Sequence, residues 1–366
     1  MMFTIAERKN SYRTLSKYLE THQRNAFNIG KVLGRGLQGT VYRASAVIRN
    51  KKHVIVIKRT NVTRGEYNKG KDAVIFSKAT LKKSVFIELA SSQLANQLVL
   101  QGICPNFALS YHYQFVSDCN QDPQISTKRY CSIQYNEYIS NGTFQDFAKR
   151  SHREEVWYNA IFQILAGLYA LKYHFNLFHN DFHGRNLLVQ KIEPGGYWIY
   201  IIDGVRYYVP NFGYVFIISD FGFSWIPDKM FPKDYVRKKD QHYHLMDSYK
   251  TKLTKNTRLT WDLYKLKVLT IDPLLKVSKK LPKHFKSEFM DIFKGLIDNT
   301  ENVSTLGDII KELYGSVIVK KRGCEAFPNY CYNEKRFVSG KRIETYNFDK
   351  KLKVNTLDPS LKHLVL

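Results

Sequence analysis

The chain has 366 residues, and 57 lysines and arginines against 32 aspartates and glutamates give it a formal net charge of +25. That length exceeds what one hydrophobic core normally organises, so two lobes with a cleft between them are expected. No stretch reaches transmembrane length, and the five cysteines, at 104, 119, 131, 324 and 331, include no C-x-x-C pair; a membrane span and a zinc site are thereby disfavoured, and unpaired thiols in a reducing, intracellular setting are expected.

Residues 1–26 are polar and basic and read as an extension. Beyond them, NIGKVL and VYRASAVI are the two strands of a hairpin whose connection, LGRGLQGTV, carries Gly34, Gly36 and Gly39. Glycines at that spacing let backbone approach polyphosphate closely, but they also serve plain hairpins and dinucleotide folds. A dinucleotide fold needs a helix to open at the third glycine, whereas TVYRASAVI is β-branched and aromatic. HVIVIKR follows as a buried strand with Lys58 near its end, either a strand-edge gatekeeper or a cation aimed at phosphates. VFIELASSQLANQLVL places apolar residues at 85, 86, 89, 94 and 98 on a helical face and carries Glu88. Glu66 lies in RGEYNKGK, which reads as a polar loop.

A long buried helix is predicted over SHREEVWYNAIFQILAGLYALKYHF, opened by Ser151 and Glu154 at capping-box spacing. It leads into FHNDFHGRNLLV, where Asp181 and Asn186 sit between strand-like flanks. A carboxylate there can accept the proton of an attacking hydroxyl, and an amide oxygen five residues on can face a magnesium ion, although Asp and Asn are also ordinary turn formers. YWIYIIDGVRYYV contains two β-rich runs around Asp203-Gly204, the turn pair of a two-residue hairpin, and VFIIS feeds a strand ending at Asp220. Helices are expected in TRLTWDLYKLKVL, HFKSEFMDIFKGLID and TLGDIIKELYG, before a Lys-rich tail over 320–366.

Taken together these segments resemble the eukaryotic-type protein kinases over roughly residues 27–315. GRGLQGTV is similar to the family's glycine-rich loop, VIVIK to its lysine-bearing strand, YNEYISNGTFQDFAK to its hinge, HNDFHGRN to its catalytic loop and ISDFGFS to its DFG segment. The resemblance implies an α+β, bilobal fold: a β-rich N-lobe over 27–139 and a mainly helical C-lobe over 140–319, with an extra hairpin before DFG. It implies ATP and Mg2+ as cofactors, with Leu33, Gly34, Arg35, Gly36, Leu37, Gln38, Gly39, Thr40, Val41, Lys58, Glu88, Glu137 and Ile139 around the nucleotide. Glu88 is the implied partner of Lys58 in preference to Glu66, Asn186 and Asp220 hold the metal, and Asp262 braces the catalytic loop.

The chain also departs from the pattern. Asn180 stands where regulated kinases carry an arginine that pairs with a phosphorylated activation loop, and His183 stands where a lysine is usual. The H-x-D-x-H-x-x-N pattern and the extra hairpin resemble haspin and kinases of large DNA viruses, and no APE sequence follows Gly222. The leading expectation is a Ser/Thr protein kinase acting through Asp181, Lys58 and His183 on an acidic protein substrate, in the cytoplasm or packaged in a virion. A small-molecule phosphotransferase of the aminoglycoside or choline type and a basic pseudokinase scaffold are the alternatives. Weak nucleic-acid binding through the basic surface belongs with either reading, and no membrane association is expected.

Overall fold

The computed structural model describes residues 3–22, 27–36, 39–72, 75–117, 119, 130–230, 261–266, 271, 306–315 and 331–365. Leu37 and Gln38 of the glycine-rich connection, the segment 231–260, the expected helix over 284–298, the basic runs at 237–239, 276–286 and 320–322, and Cys324 lie outside them.

Five strands build the N-terminal sheet: β1 (Asn28–Gly36), β2 (Gly39–Ile48), β3 (Lys51–Asn61), β4 (Ser110–Val116) and β5 (Cys131–Glu137), in the order β1-β2-β3-β5-β4. Strand β2 shows why it folds so: Thr40, Tyr42, Ala44, Ala46 and Ile48 alternate inward, the period of a half-buried strand. Gly39 is required by the sheet itself, since a Cβ there would lie 1.9 Å from the Arg59 carbonyl oxygen. Gly34 and Gly36 meet nothing within 4 Å and lie on an exposed strand.

Between β3 and β4 the chain forms α2 (Arg64–Lys69) and α3 (Ser84–Leu100). Glu66, expected in a loop, is instead the third residue of α2, where it closes a capping box with Thr63. Helix α3 is apolar on nearly every side and accordingly buried. Residues 1–26, expected to be an extension, contain α1 (Ile5–Thr21), which packs on β4 and α3 through buried Leu15 and Leu19. The overlooked signal was the Thr4–Glu7 capping box ahead of widely spaced apolar positions.

After β5 come α4 (Phe144–Ala148) and α5 (Glu154–Phe175), then β6 (Leu187–Lys191), β7 (Tyr197–Ile202), β8 (Val205–Pro210) and β9 (Tyr214–Ile218). The predicted capping box at Ser151 does not form: the N-cap of α5 is Arg153, with no side-chain cap. His152 intervenes by stacking on Phe147, 3.7 Å between ring centroids, and bonding the Phe147 carbonyl. Helix α5 ends on Asn176 in the left-handed region, φ 52°. It packs on β9 closely enough that a Cβ on Gly167 would lie 2.6 Å from Ile218 Cδ1.

The extra hairpin is present, β7 pairing with β8 around Asp203 and Gly204 with φ of 50° and 73°. It is not a separate ornament. Strand β10 (Arg342–Asn347), from the stretch expected to be a tail, pairs in parallel with β7 and completes a three-stranded sheet. Two further helices, α6 (Trp261–Leu266) and α7 (Leu306–Tyr314), belong to this part; α7 packs on α5, and Tyr314 Oη donates to the Tyr158 carbonyl at 2.7 Å. The architecture is α+β, sheet-rich in its N-terminal part, and compatible with a bilobal kinase-like fold.

The expectation of unpaired thiols is corrected. Cys119 and Cys131 are joined as a disulfide, Cα atoms 6.1 Å apart, because the β4–β5 pairing sets Cys131 opposite Val116 and so close to residue 119. Cys331 is also disulfide-bonded, and Cys104 is free and buried. Among the described residues no helix is long and apolar enough to cross a membrane.

Candidate active site

The site is assembled from β3, α3, the loop between α5 and β6, and the turn after β9. Lys58 faces Val41 on β2 and Gln134 on β5 in the ladder, and its ammonium reaches two carboxylates: Glu88 Oε1 at 2.5 Å and Asp220 Oδ1 at 2.9 Å. Burial alone would strip Lys58 of its proton, but the neighbouring Asp220 and Glu88 charges and hydrogen bonds overcome it and raise the pKa. Lys58 therefore stays charged. Glu88, and not Glu66, meets it, because α3 lies under the sheet while the Glu66 carboxylate is occupied by the Thr63 backbone.

The loop 176–186 is held from below. The Asp262 carboxylate of α6 accepts from the backbone N–H groups of His179 and Asn180, both at 2.7 Å, and Lys265 Nζ donates to the Asn180 carbonyl at 2.5 Å. Burial pushes the Asp262 carboxyl up and the Lys265 ammonium down, and each is partly restored by the other's charge. The His179 ring bonds the Ser219 carbonyl at 2.9 Å, tying the loop to the residue before Asp220. Phe221 is buried, its ring 5.2 Å from that of His179 and 6.4 Å from that of Phe107.

Within this frame Asn186 Nδ2 donates to the Asp181 carbonyl at 2.9 Å and to Asp181 Oδ2 at 3.1 Å. Its Oδ1 accepts no hydrogen bond among the described residues. His183 Nε2 lies 3.5 Å from Asp181 Oδ2. Burial works to raise the Asp181 carboxyl, but the His183 hydrogen bond and the charges of His183, Lys265 and His179 together hold it below its ordinary value. Asn180 and Asp220 both have positive φ, 61° and 64°, which short polar side chains tolerate best. The Asn180 amide points inward and donates to the Phe223 carbonyl at 3.2 Å.

The structure thus brings Lys58, Glu88 and Asp220 together, and Asp181, His183 and Asn186 together, with His179 linking the two groups. Asp220 is partly exposed, and its carboxylate and the Asn186 amide oxygen are each hard-oxygen groups of the type that magnesium takes. Leu33, Gly34, Arg35 and Gly36 lie on exposed β1, with Gly39, Thr40 and Val41 paired to it on β2. Glu137 ends β5. Ile139, two residues on, is buried, and its backbone N–H makes no backbone hydrogen bond among the described residues. The residue that sequence reasoning missed is Arg8, whose guanidinium is buried against the Glu137 carboxylate.

No protein-family model matches the chain. It is 28% identical over 222 residues to the protein named "Probable serine/threonine-protein kinase 380R" of Invertebrate iridescent virus 6, covering 58% of this chain and 38% of that protein. It is 26% identical over 198 residues to "Putative serine/threonine-protein kinase 019R" of Frog virus 3, covering 52% of this chain and 22% of that protein. It is 29% identical over 139 residues to "Uncharacterized protein 011L" of Invertebrate iridescent virus 3, covering 35% and 18%. The chain therefore spans well under half the length of these relatives. Similarity to two iridovirus proteins bearing serine/threonine-protein kinase names, together with the α+β architecture, supports a kinase-like family for this chain.

Proposed function

We propose that this chain transfers the γ-phosphoryl group of ATP to serine or threonine hydroxyls of a protein, as an atypical kinase with a haspin-like catalytic loop. The observation that carries the proposal is the convergence of Lys58, Glu88 and Asp220 on one side with Asp181 and Asn186 on the other. A scaffold has no chemical need for a buried ammonium clamped between two carboxylates beside a carboxylate of lowered pKa.

On this reading Lys58 grips the nucleotide phosphates and Glu88 keeps it aimed. Asn186 and Asp220 would hold Mg2+, which would neutralise phosphate charge when bound. Asp181, ionised and steadied by Asn186 and His183, orients the acceptor hydroxyl and takes its proton. His183 donates toward the transferring phosphate in place of the usual lysine. Ile139 N–H is offered to the adenine edge, and residues 33–36 with 39–41 lie over the phosphates. The net charge of +25 favours acidic protein substrates.

A second reading, small-molecule phosphotransfer, is favoured by His183 and by the lack of an APE sequence after Gly222. The test offers acidic and basic proteins beside aminoglycosides and choline, with magnesium ATP, and measures which acceptor gains phosphate. Label in protein hydroxyls supports the proposal; label in the small molecules alone replaces it with the second reading.

A further inference from the structure

Arg8 belongs to a helix that the kinase reading leaves without a role, yet it makes the most elaborate side-chain contact of the N-terminal part. Only 3% of its side chain is exposed. Its Nε donates to Glu137 Oε1 at 3.0 Å and its Nη2 to Glu137 Oε2 at 2.6 Å, a bidentate pair. Nη1 donates to the Pro105 carbonyl at 2.6 Å, and Nη2 also reaches the Phe107 carbonyl. The same Glu137 carboxylate accepts from Leu109 N–H at 3.0 Å. One guanidinium therefore fastens α1, the connection between α3 and β4, and the last residue of β5.

What that residue holds is the segment that follows it. Glu137 N–H donates to the Leu109 carbonyl at 2.7 Å, and the next backbone hydrogen bond after it is that of Asn141 N–H to the Val189 carbonyl at 3.0 Å. Tyr138 and Ile139 have no backbone hydrogen bonds among the described residues, so their position is inherited from Glu137 on one side and from residues 140–141 on the other. Helix α1 is itself moored at its start, where Ile5 N–H donates to the Glu344 carboxylate of β10 at 3.1 Å, a favourable place for an anion. Farther along, Ser16 Oγ donates to the Tyr111 carbonyl of β4 at 2.7 Å.

We infer that Arg8 is a positioning residue for the nucleotide: through Glu137 it fixes the height of the 138–139 backbone against which the adenine edge would bind. This rests on the kinase reading above. Without Arg8 the Glu137 carboxylate is left buried with no cation and must turn or move, taking the segment after it along. Lysine preserves the charge but has no planar fork to span Glu137 and two carbonyls at once.

The experiment measures magnesium ATP affinity by calorimetry on the full chain, with KM for ATP and kcat where transfer is detected. Arg8→Ala is expected to bind about tenfold more weakly, as misplacement of a binding segment implies, with KM raised and kcat at saturating ATP nearly kept. Arg8→Lys should fall between the two. Tyr314→Phe, which removes a buried hydrogen bond far from this segment, should lower the melting temperature and leave affinity unchanged. Wild-type affinity in a folded Arg8→Ala overturns the inference. If that variant does not fold, wild-type affinity in Arg8→Lys and Arg8→Gln overturns it equally. A wild-type chain that binds no nucleotide would instead defeat the kinase reading itself.

Discussion

Asp181 shows how a single side chain is tuned by its neighbours. Burial works to raise its pKa, but His183 leads the influences that lower it, and the net shift is downward, so the ionised carboxylate is favoured. A depressed carboxylate of this kind stabilises the loop above its unfolded value and loses that contribution as pH falls through the lower folded one. Replacing His183 with alanine should therefore move the Asp181 midpoint upward in a carboxyl-carbon NMR titration; an unchanged midpoint would show that His183 is not the cause. Asn180 gives a second prediction. Its side chain points inward to the Phe223 carbonyl and lacks the fork that grips phosphate. Phosphatase treatment is expected to leave phosphoryl transfer undiminished, and its loss on treatment would contradict this. Asp181 and Asn186 were legible because six consecutive residues of one loop carry both. Arg8 was not, because its partner Glu137 lies 129 positions away and nothing local marks an arginine for burial.

At the scale of elements, the loop 176–186 is held by α6 through His179 and Asn180. Asp262→Ala would orphan two buried backbone N–H groups and remove one of the two carboxylates, Asp181 being the other, whose charge acts on Lys265, a loss of about 3–5 kcal/mol by the cost of breaking buried charged contacts. A melting temperature within a degree of wild type would refute the brace. The elements with a strong period or a strong turn were readable: β2 by alternation, α5 by its apolar length, the β7–β8 hairpin by Asp203-Gly204. Those defined by distant packing were not. Helix α1 has few apolar residues of its own and is fixed by β4, α3 and Glu344, and β10 reads as a basic tail until β7 provides its partner. Ser151 failed as a cap for a local reason, since the stacking of His152 on Phe147 delays the helix start to Glu154.

The whole molecule is tied across its length by segments that enter from both ends of the sequence. Helix α1 braces β5 from one side, while Glu344 and β10 join its start to the β7–β8 sheet. Removing residues 331–365 would expose the long edge of β7 and free the first turn of α1. Such a truncation is expected to aggregate or melt well below the intact chain, and an unchanged melting temperature would show that the strand contributes nothing. The central claim, that the two clusters of polar side chains form one phosphoryl-transfer centre, is tested most directly by incubating the purified chain with γ-labelled magnesium ATP and a protein acceptor. Parallel reactions use Asp181→Ala. The account predicts label in serine or threonine of the acceptor with wild type and a loss of at least about a hundredfold with Asp181→Ala, the scale expected for removing a positioned base. Equal label from both proteins, or none from wild type, would contradict it.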